Sequence, residues 1–244
     1  MEKYEKSEML PLAQFAPHAS FKTNIETLVA QTLRNAITQG AFYPGQELNE
    51  VGIANDLEIS RMPVRQAMSI LEAEGLVTRV PRKGVFVTSL DSHDLEEIYT
   101  TRVALEEVAI RAAIPRYTEE DFKKIERNLE TPPNKISTYT SFLDVDKEFH
   151  VLLYAPSGWK RVTKYIQQLR NNTAIYRILK SPLPVERLNL SLRDHRAIFE
   201  ACRKRDADTA AKLLREHTLR TVPRIIEMNS TQENIDSIKT GQPD

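Results

Sequence analysis

The chain has 244 residues, with 34 lysines and arginines against 34 aspartates and glutamates, 41% hydrophobic residues and one cysteine. That length gives room for two domains with separate cores, and the lone Cys202 excludes an internal disulfide framework. No apolar stretch reaches signal-peptide or membrane-span length, so no membrane partner and a cytoplasmic location are expected, while zero net charge still allows a local basic face.

In chain order, residues 1 to about 20 contain two prolines and little periodicity, the pattern of a loosely ordered arm. Ile25, Leu28, Val29, Leu33 and Ile37 then recur at helical spacing behind Asn24, a residue suited to capping, and the run ends at Gly40. Pro44 and Gly45 turn the chain into a short helix from about Asn49 to Leu57, expected to direct Val51, Ile53, Ala54 and Leu57 to the same core. Ser60 is placed to cap the next helix, Pro63 falls in its first turn where a missing N–H costs little, and Gly75 supplies the stop. Val64, Met68, Leu71 and Leu76 form its apolar stripe, and Arg61 and Arg65, four residues apart, share the opposite face. Leu76 to Val80 and Val85 to Thr88 read as two strands joined by Pro81, Arg82, Lys83 and Gly84.

Helix, turn, cationic helix and basic β-turn, in that order, make a winged helix-turn-helix. A helix entering the major groove presents cationic or hydrogen-bonding side chains from its first turns, which Arg61 and Arg65 supply, and the basic wing tip can reach adjacent phosphates. Arg61, Arg65, Arg79, Arg82 and Lys83 face only Glu72 and Glu74 in the interval 61–83, so positive charge is concentrated there.

From Asp91 the β-rich runs disappear and apolar residues recur every three or four positions to about Met228. Helices are expected near 92–114, 119–130, 137–154, 159–179, 187–203 and 206–228, broken by Pro115, Thr131 to Asn134, Pro156 to Gly158, Ser181 to Pro184 and Lys204 to Asp206. The fold class is therefore mainly α: an arm at 1–20, a winged helix-turn-helix at 21–89, an all-helical bundle at 90–229 and a tail at 230–244.

Four polar residues of the bundle stand where apolar ones are expected. Asp146 and His150 lie i,i+4 on a face shared with Phe142, Phe149 and Leu153, while His195 lies between Leu192 and Ile198 and His217 follows Leu213 and Leu214. If the last two helices form a hairpin turning near Asp206, both histidines are 11 residues from the turn and level with one another. One carboxylate and three imidazoles suit a divalent transition metal, zinc first, with nickel, manganese or iron as alternatives; the other reading is three hydrogen-bonded core histidines and an Asp146 paired with an arginine. Arg102 also points inward between Ile98 and Leu105, where either Glu106 neutralises it or a bound carboxylate uses its fork. Asn172 and Thr173 interrupt an apolar face and are weaker candidates for lining a cavity. Cys202 reads as a core thiol.

The stretch PGQELNEVGIANDLEISRMPVRQAMSILEAEGLVTRVPRKGVFV resembles the winged-helix domain of GntR-family transcription regulators. The segments TRVALEEVAIRAA, DVDKEFH, DHRAIFEA and the later EH are similar to the C-terminal FCD ligand-binding domain of the FadR subfamily, and the expected helix count resembles its VanR-type branch. The resemblance implies DNA contacts from Arg61, Arg65 and the Lys83–Gly84 wing tip, and metal ligation by Asp146, His150, His195 and His217. It further implies a homodimer on a palindromic operator of double-stranded DNA, a small organic acid as effector and a repressor's role. The chain departs from the family pattern at Val51, where an arginine is usual, at Gly52 within a helix, and at Gly158-Trp159 in place of a Gly-Asn loop end.

The expected function is thus a DNA-binding regulator controlled through a metal-containing pocket with Arg102 and Asn172 as effector contacts, and not an enzyme. Two other readings stay open: a metal-dependent enzyme acting on a small carboxylate, which lacks an evident general base beside the four ligands, and a winged-helix interaction module with a structural metal.

Overall fold

The computed structural model describes residues 12–16, 24–131, 139–178 and 185–220. By its contacts the chain divides into two compact units, one running through Leu90 and taking in the last turns of a later helix from Asn171, the other holding Asp91–Arg170 and the helices that follow.

The first unit is a winged helix-turn-helix. It contains α1 (Ile25–Thr38), α2 (Glu50–Asp56), α3 (Arg61–Ala73) and the antiparallel strands β1 (Val77–Val80) and β2 (Gly84–Val87), with Val77 opposite Val87 and Val80 opposite Gly84. Leu33, Ala36 and Ile37 of α1, Ile53 and Ala54 of α2, and Val64, Ala67, Met68 and Leu71 of α3 close one dry core with Val85 and Val87 of the wing. Burying each large aliphatic side chain contributes about 1.5–3 kcal/mol, so this interdigitation sets the angle at which α3 is presented. A bidentate pair reinforces it: the Arg34 guanidinium donates to both carboxylate oxygens of Glu74, at 2.7 and 2.6 Å, tying α1 to the end of α3.

Three local expectations change. Leu12–Phe15 is a turn of 3-10 helix whose Leu12 and Phe15 are buried in this core, with the Phe15 carbonyl accepting from Asn35; that part of the arm is anchored, because two apolar side chains suffice to fill a groove without any periodic signal. Val51, expected inside, is 44% exposed, since the core of this seven-residue helix is met by Ile53 and Ala54. Residues 45–48 also pair with β2, through Leu48 N–H to the Val85 carbonyl and Val87 N–H to the Gln46 carbonyl, both at 2.8 Å. Asn24 and Ser60 occupy cap positions without a side-chain cap bond, whereas Asn49 caps α2 by accepting from the Val51 and Gly52 N–H groups.

The second unit is all-helical among its described residues: α4 (Ser92–Ala113), α5 (Glu119–Leu129), α6 (Tyr139–Tyr154), α7 (Lys160–Ile178, its end grouped with the first unit), α8 (Val185–Arg203) and α9 (Ala207–Leu219). Reciprocal capping boxes start α4 (Asp91 with Asp94) and α5 (Thr118 with Asp121), and Asp206 caps α9 through the Thr209 N–H. Ala109, Ile110, Ile125, Phe149, Ile198, Cys202 and Leu214 form its core. Burial pushes the Cys202 thiol up to about 12, which keeps it protonated and unreactive, as the sequence suggested. The expected stretch of α9 beyond 220, the tail at 230–244 and most of the 1–20 arm lie outside the described residues. Among the described residues no helix is long and apolar enough to cross a membrane.

Candidate functional site

The helical unit brings Asp146, His150, His195 and His217 together. One ligand atom from each lies within 4.8 Å of the others, and the first three residues are buried. The i,i+4 spacing puts Asp146 and His150 on one face of α6. The left-handed Arg205 and the Asp206 cap turn α8 back into α9, and the equal spacing on either side levels the two histidines, whose Nε2 atoms stand 3.2 Å apart. Asp146 Oδ1 lies 3.5 Å from His195 Nε2 and 3.9 Å from His150 Nε2. Metal bonds of about 2.1 Å put neighbouring ligand atoms roughly 3.0–3.4 Å apart, so these separations suit a first-row divalent cation with modest contraction.

The outer nitrogens are also organised. His217 Nδ1 meets Asp194 Oδ2 at 3.2 Å, and Asp194 in turn accepts from Arg220. His150 Nδ1 is 3.2 Å from the Tyr154 hydroxyl, and the Phe149 ring stacks on His195 at 4.0 Å. An oxygen that accepts from Nδ1–H, as these contacts allow at His217 and His150, favours the tautomer whose Nε2 lone pair is free for a metal, while the Phe149 stack holds the plane of the His195 ring. Burial holds His195 down to about 4 and His150 well below the usual imidazole range, so both are neutral, the form a metal requires.

A charge ladder runs beside the cluster. Arg170 donates to Asp146 Oδ2 at 2.8 Å, leaving Oδ1 toward the histidines, and its other terminal nitrogen is 3.8 Å from Glu106. Glu106 accepts from Arg102 Nε and from the Thr218 hydroxyl, both at 2.9 Å. Burial alone would raise the Glu106 carboxyl, but Arg102, Arg170 and these hydrogen bonds outweigh it and hold the carboxylate below its usual range. Arg102 thus has the Glu106 partner that its sequence position allowed, and Asp146 has an arginine partner as well. Asn172 is grouped with the first unit, beside Gly75, where an added Cβ would stand 3.0 Å from its Nδ2. Arg170 was missed in the sequence, although it follows Ile166 by four on a buried face and passes the test that singled out Arg102. Asp194 and Tyr154 carry no periodic signal, because their role depends on which ring lies beside them.

In the winged unit Arg61 and Arg65 are exposed on α3, and Arg82 and Lys83 are exposed at the wing turn. Arg82 has φ 64° and Gly84 φ 127°; a side chain on Gly84 would put its Cβ 2.9 Å from Glu47 Oε1, so the tip is shaped for glycine. Sequence reasoning also missed Glu50. Its carboxylate, 17% exposed, lies 3.6 Å from Arg65 Nε and 3.9 Å from an Arg79 terminal nitrogen, linking α2, α3 and β1.

The comparisons agree with this architecture. Residues 26–87 match the family described as bacterial regulatory proteins, gntR family, and residues 97–220 match the FCD domain. The chain is 31% identical over 188 residues to the uncharacterized HTH-type transcriptional regulator YdhC of Bacillus subtilis (strain 168), covering 76% of this chain and 84% of that protein. It is 28% identical over 202 residues to the HTH-type transcriptional repressor GlaR of Escherichia coli (strain K12), covering 79% and 92%. The fold is shared with E. coli McbR/YncC, at a TM-score of 0.76 and 20% identity over 84% of this chain and 99% of that one. The two sequence relatives are HTH-type transcriptional regulators. With a gntR-type winged helix and an FCD domain in one chain, the protein belongs to the GntR family of transcriptional regulators.

Proposed function

We propose that Asp146, His150, His195 and His217 hold a divalent transition metal, zinc foremost, and that a small organic acid bound there changes the affinity of the winged unit for DNA. The observation that carries this reading is the convergence of four donor groups, three of them buried, with hydrogen-bond partners on the outer nitrogens of His217 and His150. When bound, such a cation offers a carboxylate the coordination positions that four protein ligands leave open. Arg170 orients Asp146, an anionic effector competes with Glu106 for Arg102, and Asn172 is the second proposed effector contact. The chain acts as a homodimer on a palindromic operator, as a repressor in a cytoplasmic setting, with boundaries near 21–89 and 90–229. The test is operator binding by metal-free and zinc-loaded protein, each with and without citrate as a chelating probe. A citrate-dependent shift of about 5-fold or more, present only with zinc, is expected from ordinary coupling energies; identical binding in all four conditions contradicts the reading.

For DNA we propose that Arg61 and Arg65 read bases and flanking phosphates while Arg82, Lys83 and Gly84 seat the wing on the backbone. Glu50 is the aiming residue for Arg65: by engaging Nε it leaves the terminal guanidinium nitrogens for a guanine edge. A Glu50→Gln variant is expected to bind random-sequence DNA a few-fold more tightly, because a carboxylate near phosphates is gone, and to bind operator more weakly. Titration of both duplexes at one salt concentration checks this, and a parallel change in the two affinities counts against it.

A further inference from the structure

The exposed face of α3 is not uniformly polar. Met62, Arg65, Gln66 and Ser69 recur at i, i+3, i+4 and i+7 on that face, opposite the buried Val64, Ala67, Met68 and Leu71. Met62 is 60% exposed and stands directly after Arg61 in the first turn. Val51, 44% exposed, follows Glu50 in the first turn of α2, and the Glu50–Arg65 pair joins that turn to the same face of α3. Met62 therefore sits among the cations of the surface proposed to meet DNA, and Val51 is a second exposed apolar side chain in the winged unit.

A lone exposed apolar residue needs no explanation, but position changes the physics here. The first turn of a recognition helix is the part that loses water against base edges. A thioether pressed on a guanine, adenine or cytosine edge leaves acceptors or amino groups without water and without a partner, a net penalty. The major groove offers one apolar feature on ordinary DNA, the C5-methyl group of thymine. Methionine is unbranched and polarizable, so it can follow the methyl without demanding a unique rotamer.

We propose that Met62 reads the C5-methyl of a thymine in each operator half-site, in the same half-site as the base contacted by Arg65. This rests on the DNA-face reading above and adds a specificity determinant that is insensitive to salt, unlike the arginine contacts.

The test begins with duplexes selected by the full-length protein from a random library, in which each thymine is then replaced singly by uracil, removing only the methyl. One thymine per half-site is expected whose replacement weakens binding about 3- to 10-fold, the size set by burying one methyl and its surroundings. The same replacement is expected to have no effect on Met62→Ala, to keep its effect on Arg65→Ala, and to be unchanged between low and moderate salt. Cytosine and 5-methylcytosine at that position separate the two sources of a C5-methyl group. Binding to 5-methylcytosine equal to or tighter than to thymine overturns the assignment to thymine. Selected duplexes whose thymines all tolerate uracil, or a methyl effect that survives in Met62→Ala, overturn the role of Met62. Failure to select any duplex overturns the underlying DNA-face reading and this inference with it.

Discussion

An Arg61→Ala, Arg65→Ala double variant is expected to lose operator binding while keeping its fold. Each bidentate arginine–guanine contact contributes about 1–3 kcal/mol of discrimination, so removing two per half-site costs at least roughly 30-fold in affinity and more in a dimer. Stability should hold, because both side chains project into solvent and the core face of α3 is carried by Val64, Ala67, Met68 and Leu71; surface changes of this kind usually stay within about 0.5 kcal/mol. The informative comparison is operator against random DNA. The double variant is expected to approach the random-DNA affinity of the wild type, with a shallower salt dependence. Unchanged preference for operator, measured with folded protein, would remove both arginines from the reading surface.

A second large effect is expected at Glu106. Its carboxylate is 1% exposed and stands between two guanidiniums, Arg102 and Arg170, that are themselves buried. Glu106→Ala leaves those cations with Asp146 as the remaining carboxylate on the ladder and also strips the Thr218 hydroxyl of its acceptor. Breaking a buried pair by removing one partner typically costs about 3–5 kcal/mol. Denaturant unfolding should show a loss of that size with little change in slope, and Glu106→Gln, which keeps the shape and one acceptor, should lose less. A change under about 1 kcal/mol in Glu106→Ala would mean that the arginines find water or one another's partners, and the ladder would not be a structural unit.

The parts of this protein that were legible in the sequence are those where a long period meets a clear stop. Helices α4 to α9 could be located because prolines and polar breaks interrupt steady apolar spacing, and the cluster was visible because Asp146, His150, His195 and His217 violate that spacing on buried faces. The levelling of His195 with His217 followed from counting to a turn, and the 3.2 Å separation of their Nε2 atoms agrees. Short elements behaved differently. Two turns of α2 give too few positions to decide which way Val51 faces, and the Leu12–Phe15 turn or the pairing of residues 45–48 with β2 depends on surfaces built elsewhere in the chain. The same holds for Arg170 and Glu50. A charged residue shows in the sequence as an anomaly or as a solvated position, but which opposite charge it meets is decided by packing.

The claim that holds the functional account together is that the four convergent side chains bind metal. It is tested most directly by elemental analysis of the full-length protein, purified without added metal or chelator and again after reconstitution with zinc, alongside Asp146→Ala. Asp146 supplies the only carboxylate among the four, and its loss also frees Arg170 to repel a cation. About one transition metal per chain is expected in the wild type and little in the variant. A wild type that stays metal-free after reconstitution, or a variant that retains a full equivalent, would contradict it and leave the histidines as hydrogen-bonded residues of the bundle core.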